Sequence, residues 1–178
     1  VSMEVTIICV VIFLIVILVQ YNTLIKLRMK VKQSKSGIDV YLQQRFDLIP
    51  NLVNTVKGYM DYEKEVFENI TRLRTEYSQT KDIKISEQLN LQINKIIANA
   101  ENYPELKADE QFLNLQKNLS KMESQLQAAR RIYNNDVTKY NTKISLVPYN
   151  VIAMLFNFKK EVLFKIDDEK KENISIDI

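Results

Sequence analysis

The chain has 178 residues, 46% of them hydrophobic and 26% charged, with a formal net charge of +3. Two glycines and three prolines are too few for the turns of a β-sandwich or barrel, so an all-α protein is expected. The absence of histidine and the single cysteine exclude the usual zinc sites, Ser-His-Asp triads, Glu-x-x-His di-iron bundles and an intramolecular disulfide.

From Val5 to Ile25 no side chain is charged, and Val5–Val19 is apolar apart from Thr6. Twenty-one residues at about 1.5 Å of rise span about 30 Å, the thickness of a bilayer's hydrocarbon core. The thirteen Val, Ile, Leu and Phe residues of Val5–Val19 favour insertion by at most about 4–8 kcal/mol. A transmembrane helix over 5–25 is therefore expected. It reads as a retained anchor and not a signal peptide. No Lys or Arg precedes it in Val1-Ser2-Met3-Glu4, no Ala-x-Ala follows it, and Cys9 lacks the small neighbours of a lipoprotein site. Met3 is a candidate first residue. Lys26, Arg28, Lys30, Lys32 and Lys35 follow the span, against Glu4 alone before it, so the positive-inside rule places residues 1–4 outside and the rest in the cytoplasm. Those five cations would also meet anionic lipid headgroups, at up to about 1 kcal/mol each.

Beyond the anchor, apolar residues recur in helical steps: Leu24, Val31, Ile38, Leu42, Ile49, Val53, Val56, Met60, Phe67 and Ile70. The phase is the same on both sides of Pro50, which predicts a kink at Asp47–Pro50; a separate antiparallel helix starting at Pro50 is the alternative. A weaker helix is expected over 83–100, with Ile85, Leu89, Ile93, Ile96, Ile97 and Ala100 on its apolar side, ending at Asn102-Tyr103-Pro104. The next helix has the most regular stripe, from Phe112, Leu115, Leu119, Met122 and Leu126 to Ala129, Tyr133, Val137, Tyr140 and Ile144. After Pro148 a last helix is expected over Asn150–Phe164, with Val151, Met154, Leu155, Phe158 and Val162 inward. A frayed tail is expected over 167–178. One apolar stripe per helix implies an all-α architecture in which the N-terminal transmembrane helix leads into an elongated antiparallel bundle of long helices over 26–166.

Several stretches are not required by bundle packing. These are Tyr21-Asn22, Ile38-Asp39-Val40, Arg45-Phe46-Asp47-Leu48-Ile49-Pro50-Asn51-Leu52-Val53, Val56-Lys57-Gly58-Tyr59, Tyr103-Pro104-Glu105-Leu106-Lys107-Ala108, Phe112-Leu113-x-Leu115-Gln116, Glu123, Ala129-Arg130-Arg131-x-Tyr133-Asn134, Val137, Tyr140-Asn141 and Val147-Pro148. In this order, from the anchor to about Phe164, they resemble the LemA family of bacterial membrane proteins. The resemblance implies one N-terminal membrane helix and a cytoplasmic helical bundle at the bacterial inner membrane, and it implies no activity. Three positions depart from the family pattern: Gln44 stands where a second arginine is usual, Tyr62 where a histidine is usual, and Asn157 where a glycine separates two aromatics.

Arg45, Asp47, Asn51, Lys57, Arg130, Arg131, Tyr133 and Asn134 lie beside apolar stripes. They read as a structural polar network, with Asp47 pairing with Arg130 or Arg131 across two helices; an exposed groove for an anionic or peptide ligand is the other reading. No phosphate loop, dinucleotide fingerprint or nucleophile elbow is present, and Glu63/Glu65 and Asp167/Asp168 lie in charged, solvated stretches. No catalytic, cofactor or metal residue is expected. The basic excess is small and largely juxtamembrane, which disfavours nucleic acid as a partner. The expected partners are membrane lipid and either another protein or further copies of this chain. The expected function is a non-catalytic scaffold or adaptor at the membrane. The alternative is an accessory subunit regulating a membrane enzyme or transporter through its transmembrane helix.

Overall fold

The computed structural model describes residues 2–60 and 64–164, with Ile83 by its backbone only. Tyr62, Glu63 and the expected tail lie outside the described residues. Every described element is helical: α1 (Ser2–Asp47), α2 (Ile49–Lys57), α3 (Lys64–Thr80), α4 (Ile83–Asn99), a 3-10 turn (Ala100–Asn102), α5 (Pro104–Ala108), α6 (Glu110–Ser145) and α7 (Tyr149–Leu155). The chain forms two compact units whose boundaries fall inside α1, between Ser36 and Gly37, and inside α6, between Ala128 and Ala129.

In the unit 37–128 the expected stripe residues Ile38, Leu42, Ile49, Val53, Val56, Met60, Phe67 and Ile70 are all buried, and Leu89, Ile93, Ile96, Phe112, Leu119 and Leu126 join them. Each such side chain contributes about 1.5–3 kcal/mol of burial. Phe46 and Tyr77 add an edge-on aromatic pair with centroids 4.8 Å apart. At the α1–α2 junction Pro50 has no N–H for the Phe46 carbonyl, which breaks the ladder. Leu48 nevertheless keeps right-handed helical dihedrals (φ −80°, ψ −16°), and the Leu52 N–H donates to its carbonyl at 3.0 Å. The chain passes Pro50 as an interrupted helix, without reversing. The helix expected from Pro104 is divided: α5 ends at Ala108, Asp109 is extended (ψ 122°), and its Oδ1 accepts from the Phe112 N–H at 2.8 Å to start α6.

In the unit made of 2–36 and 129–164, Leu24 and Val31 of α1 are buried, as are Ala129, Tyr133, Val137, Tyr140 and Ile144 of α6. Residues 2–16 of α1 are exposed throughout. This is the one helix of the described residues long and apolar enough to cross a membrane.

The last helix differs from expectation. α7 stops at Leu155, well before Phe164, and buries Ile152 and Ala153, whereas Val151, Met154, Leu155 and Val162 are exposed. The cause is a left-handed cap. Asn157 has φ +56°, its N–H donates to Met154 O at 3.4 Å, and the Phe158 N–H reaches back to Ala153 O at 2.8 Å. A glycine would take this conformation without a Cβ clash, and asparagine is among the few other residues that tolerate it. Asn157→Gly is therefore expected to preserve or raise the melting temperature, and Asn157→Val to cost about 1–2 kcal/mol. Thermal unfolding followed by circular dichroism distinguishes them.

Candidate functional site

The densest polar constellation lies on the C-terminal half of α6, where Tyr133-Asn134 recurs seven residues later as Tyr140-Asn141. Seven residues are close to two helical turns, so both dipeptides share one face. They hold the non-helical segment Phe158–Phe164 by its main chain. Asn134 Nδ2 donates to Phe164 O at 3.0 Å, and its Oδ1 accepts from the Phe164 N–H at 2.9 Å. Asn141 repeats this with Glu161, at 2.8 and 2.9 Å. The Tyr133 hydroxyl donates to Val162 O and the Tyr140 hydroxyl to Lys159 O, each at 3.0 Å. A seven-residue step on the helix is about 10.5 Å, and a three-residue step of near-extended chain is about 10 Å, which is why one register satisfies both repeats. The Phe164 side chain is fixed between Arg130, whose guanidinium lies 5.8 Å from the ring centre, and the Tyr133 ring at 5.1 Å.

Burial, reinforced by the Glu161 charge, raises the hydroxyl pKa of Tyr133. Burial and Glu161 likewise raise that of Tyr140, against an opposing effect of Arg28. Burial, with Asp39 adding to it, pushes Tyr77 up to about 12. All three stay neutral, so the two clamp tyrosines keep their donors. Unfolding returns these phenols to a pKa near 10. Their contribution to stability is therefore fully present below pH 10 and is lost as pH rises above it, for Tyr77 on the way to about 12. The melting temperature is expected to fall across that interval, and less so in a Tyr77→Phe variant.

Further signature residues lie in the unit 37–128. Arg45, 3% exposed, forms an ion pair with Glu123 of α6. Tyr59 donates to Asp109 Oδ2 at 3.1 Å, so one aspartate both caps α6 and ties down the end of α2. That bond, more than the nearby charge, raises the Tyr59 pKa. Asp47 is exposed and accepts from Gln43 Nε2 at 2.8 Å, while Gln43 Oε1 accepts from Lys81 Nζ at 2.9 Å. Within each unit the signature side chains have their own partners. Asp47 turns to Gln43, Arg130 to Phe164, Arg131 is exposed, and the ion pair belongs to Arg45 and Glu123. Asn51 is exposed, and Lys57 lines an open cleft of about 690 Å³ along α3 with Phe67, Arg72 and Glu76.

The five cations that follow the apolar run do not share one environment. Arg28, Lys32 and Lys35 border a cleft of about 490 Å³ with Tyr133 and Glu161, and Lys30 Nζ lies 3.8 Å from the buried carboxylate of Asp136. Lys26 completes the set on the same stretch of α1. Asp136, Tyr140 and Asn141 are additions to the network expected from the sequence. The repeated Tyr-Asn dipeptide is the available signal for the last two. Among the described residues, no three His, Cys, Asp or Glu side chains converge to hold a metal ion.

The family model for the LemA family matches residues 34–178, which includes both halves of the clamp and the Arg45–Glu123 pair. The chain belongs to the LemA family. Among its relatives, Protein LemA of Metamycoplasma hominis is 23% identical over 168 residues, covering 92% of this chain and 77% of that protein. Magnetosome proteins MamQ 1 and MamQ 2 of Paramagnetospirillum magneticum are each 24% identical over 193 residues, covering 92% of this chain and 71% of theirs. The LemA match begins at residue 34, after most of the basic cluster, so the apolar run and the start of the family region lie on the single helix α1, with that cluster between them.

Proposed function

We propose that this LemA-family chain is a single-pass protein of the bacterial inner membrane, with residues 1–4 outside, 5–25 spanning, and the helical region 26–166 in the cytoplasm. There it serves as a non-catalytic scaffold or adaptor for a protein partner or for further copies of itself. The observation that carries this reading is the continuity of α1: one helix runs from Ser2 to Asp47, joining a wholly exposed apolar stretch to packed helical units without a linker. A flexible tether would let the domain drift from the bilayer, whereas a continuous helix fixes its distance from it. The signature side chains Arg45, Tyr59, Tyr133, Asn134, Tyr140 and Asn141 support the non-catalytic part, because each is engaged in holding the chain's own fold.

In-cell crosslinking of the tagged, membrane-anchored protein tests the proposal. One recurrent attached protein, or a ladder of self-crosslinks, is the expected result; a bundle without its anchor that restores function in cells would contradict it. Replacing Val5–Val19 by an unrelated apolar helix should leave the crosslinks intact. Loss of the crosslinks with insertion preserved would favour an accessory subunit acting through its transmembrane helix.

A further inference from the structure

Residues 144–158 carry no charge and are bracketed by Lys143 and by Lys159-Lys160. Around the short helix α7 this stretch exposes Leu146, Val147, Val151, Met154, Leu155 and Phe156, from 49% of the surface at Val151 to 78% at Met154. Six large apolar side chains on one short stretch would be costly in water. Their position within the unit 2–36 and 129–164 indicates what covers them. The Tyr21 ring of α1 lies 4.8 Å from the Phe156 ring and 5.8 Å from the Phe158 ring, so the end of α7 is level with Tyr21. Tyr21 sits just beyond the apolar run. The fifteen residues Val5–Val19 supply about 22 Å of helix, about 8 Å short of a hydrocarbon core. The missing depth corresponds to residues 20–24, where Gln20 and Leu24 are buried.

We propose that α7 and its flanks form a second membrane contact, lying in the headgroup–acyl boundary of the leaflet that the C-terminal end of the span enters. The exposed apolar face completes the hydrophobic thickness that Val5–Val19 leaves short. Lys143, whose Nζ lies 4.1 Å from the Tyr149 ring centre, and Lys159-Lys160 face anionic headgroups. The inference rests on the anchor reading above and adds an interfacial contact to it.

The test uses the full chain with Cys9→Ser, reconstituted in phosphatidylcholine vesicles containing phosphatidylglycerol. Single spin labels are placed through Ile12→Cys in the span, Met154→Cys on α7, and Leu91→Cys on the exposed face of α4. Collision rates with oxygen and with a water-soluble nickel chelate report depth. The expected result is a deep Ile12 label, an aqueous Leu91 label, and a Met154 label with an oxygen-to-nickel ratio several-fold above that at Leu91. A deep Ile12 label with Met154 as aqueous as Leu91 would overturn this proposal and leave the anchor standing. An aqueous Ile12 label would overturn both. A Met154 label shielded from both reagents would mean that protein, such as a second copy, covers α7, and would also overturn the proposal.

Discussion

Replacing Asn134 and Asn141 together by alanine is expected to free Phe158–Phe164 from α6. Each carboxamide chelates the N–H and the C=O of one residue, so the double substitution removes four of the clamp's six hydrogen bonds. At about 1 kcal/mol net per bond the local loss is about 4 kcal/mol. The two tyrosine bonds that remain must then hold the segment against its regained backbone entropy, at about 1–2 kcal/mol per residue. Hydrogen exchange at the Glu161 and Phe164 amides reads this directly, because both donate to the asparagines. Their protection should fall to that of exposed amides, while amides in the 37–128 core keep theirs. Asn134→Asp is the informative control. It retains the acceptor for the Phe164 N–H and loses the donor to Phe164 O, so protection at Phe164 should be intermediate.

Glu123→Ala is expected to destabilise the unit 37–128 strongly. It takes the carboxylate away from the guanidinium of Arg45, which is almost inaccessible to water, and losing such a charge-assisted bond costs about 1.5–3 kcal/mol. Glu123→Gln should cost less, because it keeps an acceptor. Arg45→Met with Glu123→Leu should recover most of the loss, since a well-packed apolar pair carries no desolvation cost. Denaturant unfolding of these variants forms a double-mutant cycle with a coupling well outside additivity. Asp47→Arg, by contrast, changes an exposed residue bonded to Gln43 and should shift stability by about 0.5 kcal/mol or less.

Why these particular residues matter is only partly legible in the sequence. Helical periodicity identifies the buried faces of α1, α2 and α6, because hydrophobic spacing at 3.6 residues reports the core wherever water covers the other side. The same rule fails at α7. It turns Val151, Met154 and Leu155 inward, yet they are exposed and Ile152 and Ala153 are buried. Periodicity alone cannot tell an apolar face turned to protein from one turned elsewhere. The stop at Leu155 is also hidden, although Asn157 in place of the family's glycine marks the left-handed residue that ends the helix.

The polar signature is visible as a set, but its pairings are not. Which carboxylate meets Arg45 depends on the register of α1 against α6, and a difference of a few residues separates Glu123 from the other candidates. The clamp is harder still. Tyr133-Asn134 and Tyr140-Asn141 bind main-chain groups, which every residue except proline carries in full, so their target segment leaves no mark of its own in residue type.

The side of the membrane on which the helical region lies decides between the proposed topology and its reverse. With Cys9→Ser as background, Leu91→Cys on the exposed face of α4 is treated with a membrane-impermeant maleimide in intact and in permeabilised cells, after confirming that the protein stays in the alkali-washed membrane fraction. Labelling only after permeabilisation is the expected result. Labelling in intact cells would place the helical region outside the cytoplasm, and release from the membrane by alkali would remove the anchor on which the function rests.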